Sequence, residues 1–251
     1  MALTTEQRQL DRREFLGGSD IPIIFGKSKF KSPFELLLEK SSHKEMKQTS
    51  SVYSIMGSVL EKRVQNDNKI KNVDEIEYEL NIEGVPFRCH IDGLDNELEY
   101  KMYEIKVVRS NLIESKETYF YQMQTYMMIT GKSVCELVLL QVEGNLKKLR
   151  NEIINRHNLG WIHEISCDNL IIEIENEITN RTHTMNFTYD HLEVPKCDKT
   201  IKEIKKNSKI FWEYKEKAEK ISYQKIYALR KKFYNDLGLN ELDYREKDIE
   251  L

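Results

Sequence analysis

Two short acidic motifs lie twelve residues apart in the middle of the chain. The first is Asp92, in the segment CHIDG, and the second is Glu104-Ile105-Lys106, in the segment YKMYEIKVV. Because side chains alternate along a strand, Glu104 and Lys106 share one face and Ile105 points the other way, into a core. Two carboxylates that converge on one point bind a hard divalent cation such as Mg²⁺ through oxygen ligands. A lysine beside them orients or activates an attacking water, and the metal stabilises charge that develops on a phosphodiester, which is the chemistry of a metal-dependent nuclease.

Three predicted strands carry these motifs. Residues 74–82 alternate in polarity, Glu83-Gly84 reverses the chain, residues 85–92 return, and residues 98–108 hold the second motif. This pattern predicts a three-stranded meander. In the returning strand His90 shares a face with Asp92, so it is a candidate neighbour of the site, although we favour a supporting or structural role for it.

Helices are expected on both sides of these strands. Three predicted helices lie near the start of the chain: residues 4–13, which end before Gly17-Gly18, a short helix from Ser19-Asp20 to about Phe25, and one that begins at Ser32-Pro33-Phe34-Glu35 with a serine cap. Two more are predicted beside the strands. They are residues 51–66, which contain Gly57-x-x-x-Glu61, and residues 116–130, which are rich in Tyr and Met. They bring Glu61 and the pair Gln122-x-x-x-Tyr126 within reach of the strands. Gln124 lies about 200° around its helix from Gln122, so the two glutamines cannot both face a metal.

The second half of the chain gives weaker signals. Residues 134–142 are largely apolar and predict a central strand. Ile172, Ile174 and Ile178 alternate with glutamates, which favours a strand with one wet face, and residues 182–189 are expected to pair with it. Residues 199–235 predict one long helix or two, anchored on the core by Phe211-Trp212, and the polar tail after Gly238 is expected to fray.

Composition bounds the class of protein. A chain of 251 residues with 39% hydrophobic and 32% charged residues buries one core plus an appendage. We interpret residues 1–251 as a single domain, with its core at about 12–145 and a C-terminal extension at about 146–251. Residues 1–16 do not resemble a signal peptide, and no apolar run reaches the roughly 20 residues that span a bilayer. These features predict work in the cytosol, of a host cell if the protein is viral, without a membrane partner.

The cysteines and the charge balance give two further expectations. The four cysteines are dispersed with no CxxC pair, which argues against a structural zinc or iron–sulfur site. The net charge of −3 is unusual for a nucleic-acid binder, but residues 199–232 hold twelve Lys or Arg against four Glu. This basic segment is either a solvated helix face or a patch that faces phosphates.

Five motifs now stand in order along residues 12–131, about half of the chain. They are RREFLGGSD (12–20), MGSVLEKRV (56–64), CHIDGL (89–94), YEIKV (103–107) and YFYQMQTYMMITG (119–131). Each is weak alone, but their order and spacing resemble the lambda-exonuclease or YqaJ-type viral recombinase family of the PD-(D/E)XK nuclease superfamily. The resemblance implies an α/β (α+β), restriction-endonuclease-like core, in which helices flank a central mixed sheet, followed by a helical C-terminal extension. Ile91 stands where the family often has proline, a difference that affects the local turn and leaves the Asp92 carboxylate in place.

The resemblance also implies roles for individual residues. Asp92, Glu104 and the backbone carbonyl of Ile105 would bind the metal. Lys106 would position or activate the water, and Glu61 and Gln122 would assist from their helices. The family holds the DNA 5′-phosphate with an arginine ahead of its Gly-Gly-Ser segment. The residues implied for this contact are Arg12, which fits better by its spacing to Ser19, Arg13 close behind it, and Ser19 itself, at a helix N-terminus that favours an anion.

The implied function is a Mg²⁺-dependent exonuclease, with Mn²⁺ able to substitute. It would digest linear double-stranded DNA from 5′ to 3′ and leave a 3′ overhang for a single-strand annealing protein. The family's ring-shaped homotrimers thread DNA through a channel, which would keep the enzyme on its substrate without a high net charge. Two alternatives stay open: an endonuclease or nickase of the same superfamily, and a non-cleaving DNA-binding module on this fold.

Overall fold

The computed structural model describes residues 12–45, 51–68, 70, 77–95, 97–107, 112–143, 146–159, 168–182 and 186–244. Most of the predicted helix at residues 4–13 and the end of the polar tail lie outside these residues.

A four-stranded mixed sheet forms the centre of the fold. Its strands are β4 (Gly93–Leu94), β5 (Lys101–Val107), β6 (Val134–Glu143) and β7 (Asn186–Pro195), in the order β4-β5-β6-β7. β5 and β6 run parallel, and the other pairs are antiparallel. Leu137, Val138, Leu139 and Leu140 are all fully buried, so both faces of β6 are covered. The prediction that this strand is central is confirmed.

A smaller sheet packs beside it, with β1 (Leu16–Gly17), β2 (Glu77–Ile82) and β3 (Val85–His90) in the order β1-β3-β2. β2 and β3 form the predicted hairpin, and Glu83 and Gly84 both have positive φ at its turn. The predicted three-stranded meander is wrong, because the chain leaves this sheet after His90 and β5 belongs to the central sheet. At the crossing the carboxylate of Asp92 accepts the backbone N–H of Ile105, and the strand pairing beside β5 is limited to Gly93 and Leu94.

The structure confirms the predicted helices that lie within the described residues, and it adds two helices that the sequence did not predict, at 146–156 and 168–182. The described helices are α1 (Asp20–Ile24), α2 (Pro33–Lys40), α3 (Val52–Asp67), α4 (Leu112–Thr130), α5 (Leu146–Arg156), α6 (Asp168–Thr182), α7 (Asp198–Ala218) and α8 (Tyr223–Asp236), with a final 3-10 turn at Glu241–Tyr244. At α2 the hydroxyl of Ser32 accepts the N–H of Glu35, as its cap pattern predicts. The basic segment forms two helices, α7 and α8, which the structure separates at residues 219–222.

The predicted strand around Ile174 is wrong, since these residues form α6. Ile174 and Ile178 are four residues apart and fully buried, whereas Ile172 is 53% exposed. That is the period of a helix and not of a strand. The partner expected for it, at residues 182–189, instead contributes to β7, which pairs with β6 over ten residues. The central sheet therefore contains strands from both the predicted core and the predicted C-terminal extension.

Three hydrophobic clusters of described residues hold these layers together. One of them packs Leu60 and Val64 of α3 against Ile105 and Val138 of the central sheet. The largest joins α1, α2, α4, α7 and α8 to the sheets and includes Phe211 and Trp212, which are buried as the sequence predicts. A smaller cluster packs α3 against α5 and α6 through Ile55, Ile153 and Ile174. Burying one such side chain stabilises the fold by roughly 1.5–3 kcal/mol. Within the described part of the chain, no helix is both long and apolar enough to cross a bilayer.

The structure shows the surroundings of the described cysteines and of the basic segment at residues 199–232. Cys89 and Cys135 are free, buried thiols, and Cys197 is free and half-buried. Several lysines of α7 are exposed, but Lys215 and Arg230 are buried. Lys215 lies 2.9 Å from Glu219 and 4.4 Å from the centre of the Trp212 ring. The basic segment is therefore not a uniformly solvated face.

Candidate active site

The two acidic motifs meet on β5, beside the strand β4 that pairs with it. The backbone N–H of Ile105 donates to Asp92 Oδ2 at 2.7 Å and so fixes one motif on the other. Lys106 Nζ lies 2.5 Å from Glu104 Oε1, 3.0 Å from the Ile105 carbonyl oxygen and 3.5 Å from Asp92 Oδ2. All three groups that the sequence nominates as metal ligands thus surround the lysine ammonium.

Glu104 is the most unusual group in this cluster. It is 0% exposed, and its Oε2 atom is buried without a hydrogen-bond partner. Burial, followed by the negative charge of Asp92, raises its pKa above the ordinary glutamate value. An unpartnered buried carboxylate oxygen costs free energy that a bound cation would recover.

The donor set at this point fits a hard divalent cation. It consists of two carboxylates and one backbone carbonyl, and no cluster of three or more His, Cys, Asp or Glu is found among the described residues. Mg²⁺ is commonly bound through only one or two carboxylates, with waters and substrate phosphates completing its octahedral shell. The residues present therefore suit Mg²⁺ or Mn²⁺ better than a metal that needs an all-protein cage.

Helix α4 supplies the second wall of the site. Gln122 Nε2 donates to Glu104 Oε1 at 2.9 Å and to the Tyr126 hydroxyl at 2.8 Å. The ring of Tyr119 lies 5.4 Å from Lys106 Nζ, within range of a cation–π contact. Gln124 faces away: it donates to the Pro195 carbonyl and accepts the N–H of Cys197. The prediction that Gln124 cannot face the site is confirmed.

Helix α3 reaches the site through a residue that the sequence interpretation missed. Gln65 is buried, and its Nε2 donates to the backbone carbonyl of Asp92 at 2.7 Å. Glu61 lies one turn earlier, so it shares this face of α3 and is half-buried. The spacing of four residues from Glu61 is the signal that could have pointed to Gln65.

A cavity of about 340 Å³ opens beside Tyr126 and is lined by most of the residues predicted to bind the DNA 5′-phosphate. Arg12, Ser19 and His90 line it. Arg13 instead donates to the Glu39 carbonyl at 3.0 Å, at the end of α2. α1 has only five residues, and Ser19 at its N-terminus makes no side-chain cap bond. The contact of Ser19 with an anion stays a prediction.

A buried ion pair that the sequence did not suggest supports this cavity. Lys40 Nζ lies 2.8 Å from Asp20 Oδ2 and donates to the carbonyls of Arg12 and Phe15 at 2.5 and 2.7 Å. The same Asp20 oxygen accepts the N–H of Gly17 at 2.8 Å. One lysine and one aspartate therefore hold both ends of the segment from Arg12 to Gly17.

Comparison with known sequences agrees with this geometry. Residues 9–133, which include every motif of the site, match the YqaJ-like viral recombinase domain. The chain belongs to the YqaJ-like viral recombinase family. A curated relative, the uncharacterized protein YqaJ of Bacillus subtilis, is 27% identical over 160 residues. That match covers 60% of this chain and about half the length of the relative.

Solved structures show the same fold around this YqaJ-like domain. The alkaline exonuclease LHK-Exo, in complex with dAMP, superposes with a TM-score of 0.53 at 19% identity, over 91% of this chain and 97% of that chain. The same enzyme from Laribacter hongkongensis gives a TM-score of 0.53 over 89% and 98% of the two chains. A phage related exonuclease from Haemophilus somnus gives 0.53 at 14% identity, over 81% and 94%. The fold is that of the PD-(D/E)XK nucleases.

The YqaJ-like domain thus brings most of the nominated residues to two adjoining places. Asp92, Glu104, Ile105 and Lys106 form one cluster with Gln122. Arg12, Ser19 and His90 line the cavity, and Tyr126 touches both places. His90 is exposed and lies 3.1 Å from Glu77.

Proposed function

We propose that this protein is a Mg²⁺-dependent deoxyribonuclease of the phage-recombination exonuclease type, which digests linear duplex DNA from its 5′ ends and leaves 3′ overhangs. The observation that carries the proposal is the buried, unpartnered Glu104 Oε2 beside Asp92 and the Ile105 carbonyl. Membership of the viral recombinase family and the fold shared with proteins described as exonucleases support it.

The residues of the site would divide the work of phosphodiester hydrolysis among them. Asp92, Glu104 and the Ile105 carbonyl would hold the cation, which when bound neutralises charge on the phosphate and lowers the pKa of water. Gln122 keeps the Glu104 carboxylate in one orientation by donating to Oε1, and Gln65 holds the Asp92 backbone. We assign Glu61 a supporting role from the same face of α3.

Lys106 would act as a charged donor. Burial opposes its charge, but the carboxylates of Glu104 and Asp92 hold its pKa well above the ordinary lysine value. The ammonium can hydrogen-bond a phosphate oxygen or orient a water. We therefore assign Lys106 a positioning and charge-stabilising role.

End recognition is assigned to the cavity beside Tyr126. Arg12 at its rim and the hydroxyl of Ser19 are suited to a terminal 5′-phosphate, because a guanidinium binds phosphate through two parallel hydrogen bonds. Tyr126 separates this cavity from Gln122, so a terminal phosphate held there would lie close to the catalytic cluster. This arrangement favours cleavage near a 5′ end over cleavage within a long duplex.

We further propose that the protein works as a homotrimeric ring and passes its 3′-ended product to a single-strand annealing protein. These two steps rest on the family alone. A ring would explain how a protein of net charge −3 stays on DNA, since enclosure replaces bulk attraction. Light scattering of the purified protein, with and without a short duplex, measures the assembly directly.

The central experiment compares two DNA substrates in the presence of Mg²⁺. We expect digestion of a 5′-phosphorylated linear duplex, no digestion of a closed circle, and loss of activity in EDTA. Lys106→Ala should lower the rate by at least a hundredfold, whereas Lys132→Ala, in the turn between α4 and β6, should not. Cleavage of the circle would contradict the exonuclease and support an endonuclease or nickase.

Product size over time and metal binding separate the remaining alternatives. Mononucleotides from the first time point support an exonuclease, and fragments support an endonuclease. A non-cleaving DNA-binding module would bind duplex without hydrolysing it. In calorimetry, neither the wild type nor Asp92→Asn would then release heat on addition of Mg²⁺.

A further inference from the structure

Four exposed lysines form a row along the first half of α7. They follow one another at intervals of three or four residues and are Lys199, Lys202, Lys206 and Lys209. Residues three and four apart are neighbours on the surface of a helix, so this lysine row occupies one face of α7. From Lys199 to Lys209 the row is about 15 Å long, at a rise of 1.5 Å per residue.

The lysine row does not stabilise the helix that carries it. Like charges three or four residues apart on a helix repel one another. Within the described part of the chain the row forms one ion pair, between Lys209 and Glu83 at 3.5 Å, and both of these side chains are exposed. An exposed pair of this kind contributes little, so a phosphate can replace Glu83 at small cost.

The nearest acids leave most of this charge uncompensated. Asp198 lies one turn before Lys202, but among the described residues no ion pair joins Asp198 to the row. Glu203 is turned toward α4, since burial and then the charge of Glu203 raise the pKa of Tyr121 above the ordinary tyrosine value. Tyr121 directly precedes Gln122, which donates to Glu104. The lysine row is therefore carried by a helix that packs on one wall of the catalytic cluster.

We propose that the lysine row binds the phosphates of a DNA duplex, at a surface of α7 that is separate from the site of cleavage. The proposal rests on the proposed nuclease function and adds a second contact with the substrate to it. Successive nucleotides of one strand are 3.4 Å apart along a duplex, so a row of about 15 Å spans about four or five phosphates. A helix holds its charges in a fixed line, which suits the regular backbone of a duplex.

The composition of this surface favours DNA over a protein partner. α7, which the structure describes from end to end, exposes no large apolar side chain. Protein interfaces have an apolar centre that is poor in charged residues and enriched in aromatic ones, and Lys is depleted in them. Charge is therefore what this face offers to a partner, and it is available locally although the whole chain has a net charge of −3.

The salt dependence of duplex binding tests the lysine row. Each phosphate contact adds about 0.9 to the slope of log affinity against log salt concentration. We would titrate a fluorescent duplex with Glu104→Gln protein in EDTA, so that binding is measured without cleavage. Replacing Lys199, Lys202 and Lys206 together by Gln should lower the magnitude of this slope by roughly 2–3. Replacing the same three lysines by Arg should preserve it.

Three exposed lysines of α8 provide the matched control. Replacing Lys225, Lys231 and Lys232 together by Gln removes the same charge from another helix and should change the slope by less than one contact. Equal losses in the two Gln variants would show attraction by net charge alone and would overturn the proposal.

Cleavage of linear duplex in Mg²⁺ is measured separately, so the two proposals fail separately. A wild type that digests duplex, with a slope that does not depend on the lysine row, keeps the nuclease and overturns the row. A slope that depends on the row in a protein that cleaves nothing supports the row and contradicts the nuclease. A larger loss on single-stranded DNA than on duplex would overturn the assignment to duplex. So would binding of polyglutamate that depends on the row while duplex binding does not.

Discussion

Gly18 and the ring of Tyr126 touch so closely that no side chain fits between them. A Cβ atom added at Gly18 would lie 2.0 Å from Tyr126 Cε1. The Tyr126 hydroxyl accepts a hydrogen bond from Gln122, which also donates to Glu104. The Gly-Gly-Ser segment therefore sets the position of α4 side chains that form the catalytic cluster.

Gly18→Ala should disturb the site from a distance. The added methyl group must displace the Tyr126 ring, so we expect a loss of stability of roughly 1–3 kcal/mol and a larger fall in kcat than in substrate binding. Urea unfolding and steady-state digestion rates measure the two effects. Gly57→Ala is the control, because a Cβ there meets no atom within 4 Å, and we expect it to stabilise α3 by about 0.5–1 kcal/mol.

Lys40→Met should weaken both the fold and the grip on a DNA end. Lys40 is buried, and its loss leaves the Asp20 carboxylate buried without its cation, which costs about 3–5 kcal/mol. Because the segment from Arg12 to Gly17 then loses its anchor, the ratio of rates on 5′-phosphorylated and 5′-hydroxyl duplexes should move toward one. An unchanged ratio in protein that remains folded would contradict this role.

Lys44→Met is the control for Lys40→Met, because Lys44 follows the same helix, α2. Lys44 pairs with Glu35 at 2.7 Å, but its side chain is partly exposed. A pair of this kind contributes about 0–1 kcal/mol. We therefore expect little change in unfolding free energy and none in the preference for a 5′-phosphate.

Glu104→Gln should abolish the response of the protein to divalent cations. A ligand that binds only the native state raises the melting temperature by an amount set by its concentration and affinity. We expect Mg²⁺ and Mn²⁺ to raise the melting temperature of the wild type and to leave that of Glu104→Gln unchanged. Glu136→Gln alters another buried acid, paired with Lys101, and should keep the metal response. Equal metal responses in wild type and Glu104→Gln would place the cation elsewhere.

Much of the site was predictable because its geometry is local. Glu104 and Lys106 share a face through the period of a strand, and Gln122 and Tyr126 share one through the period of a helix. The Ser32 cap and the central strand β6 follow from equally local rules. Such predictions need no knowledge of distant contacts.

The parts that could not be predicted depend on tertiary contacts. The break in the meander lies at the bond between Asp92 and the Ile105 N–H, which joins residues thirteen apart. Lys40 contacts Asp20 and two backbone carbonyls that are distant in sequence, and the pattern of its own helix does not predict these contacts. Gln65 likewise has no distinguishing feature in the sequence of its helix, and only the structure shows its contact with Asp92.

Asp95→Asn should reduce stability at neutral pH and not at acid pH. The Tyr103 hydroxyl, followed by the N–H groups of Glu97 and Leu98, donates to this carboxylate and lowers its pKa. A depressed pKa contributes stability above the ordinary value of about 3.9, and the contribution is lost as the pH falls through the folded value. We expect a gap of about 1–2 kcal/mol between wild type and variant at pH 7 that closes as the pH falls below the ordinary aspartate value. A gap that persists in acid would contradict the assignment.

Ile174→Ala and Ile172→Ala together test whether residues 168–182 form a helix in solution. In α6, Ile174 is fully buried against α3 and α5, so its truncation should cost about 2–4 kcal/mol of unfolding free energy. Ile172 is 53% exposed, so its truncation should change stability by no more than about 0.5 kcal/mol. A strand would place both side chains on one face and make the two losses similar. Urea unfolding of the two variants therefore distinguishes the helix from the alternation that the sequence suggests.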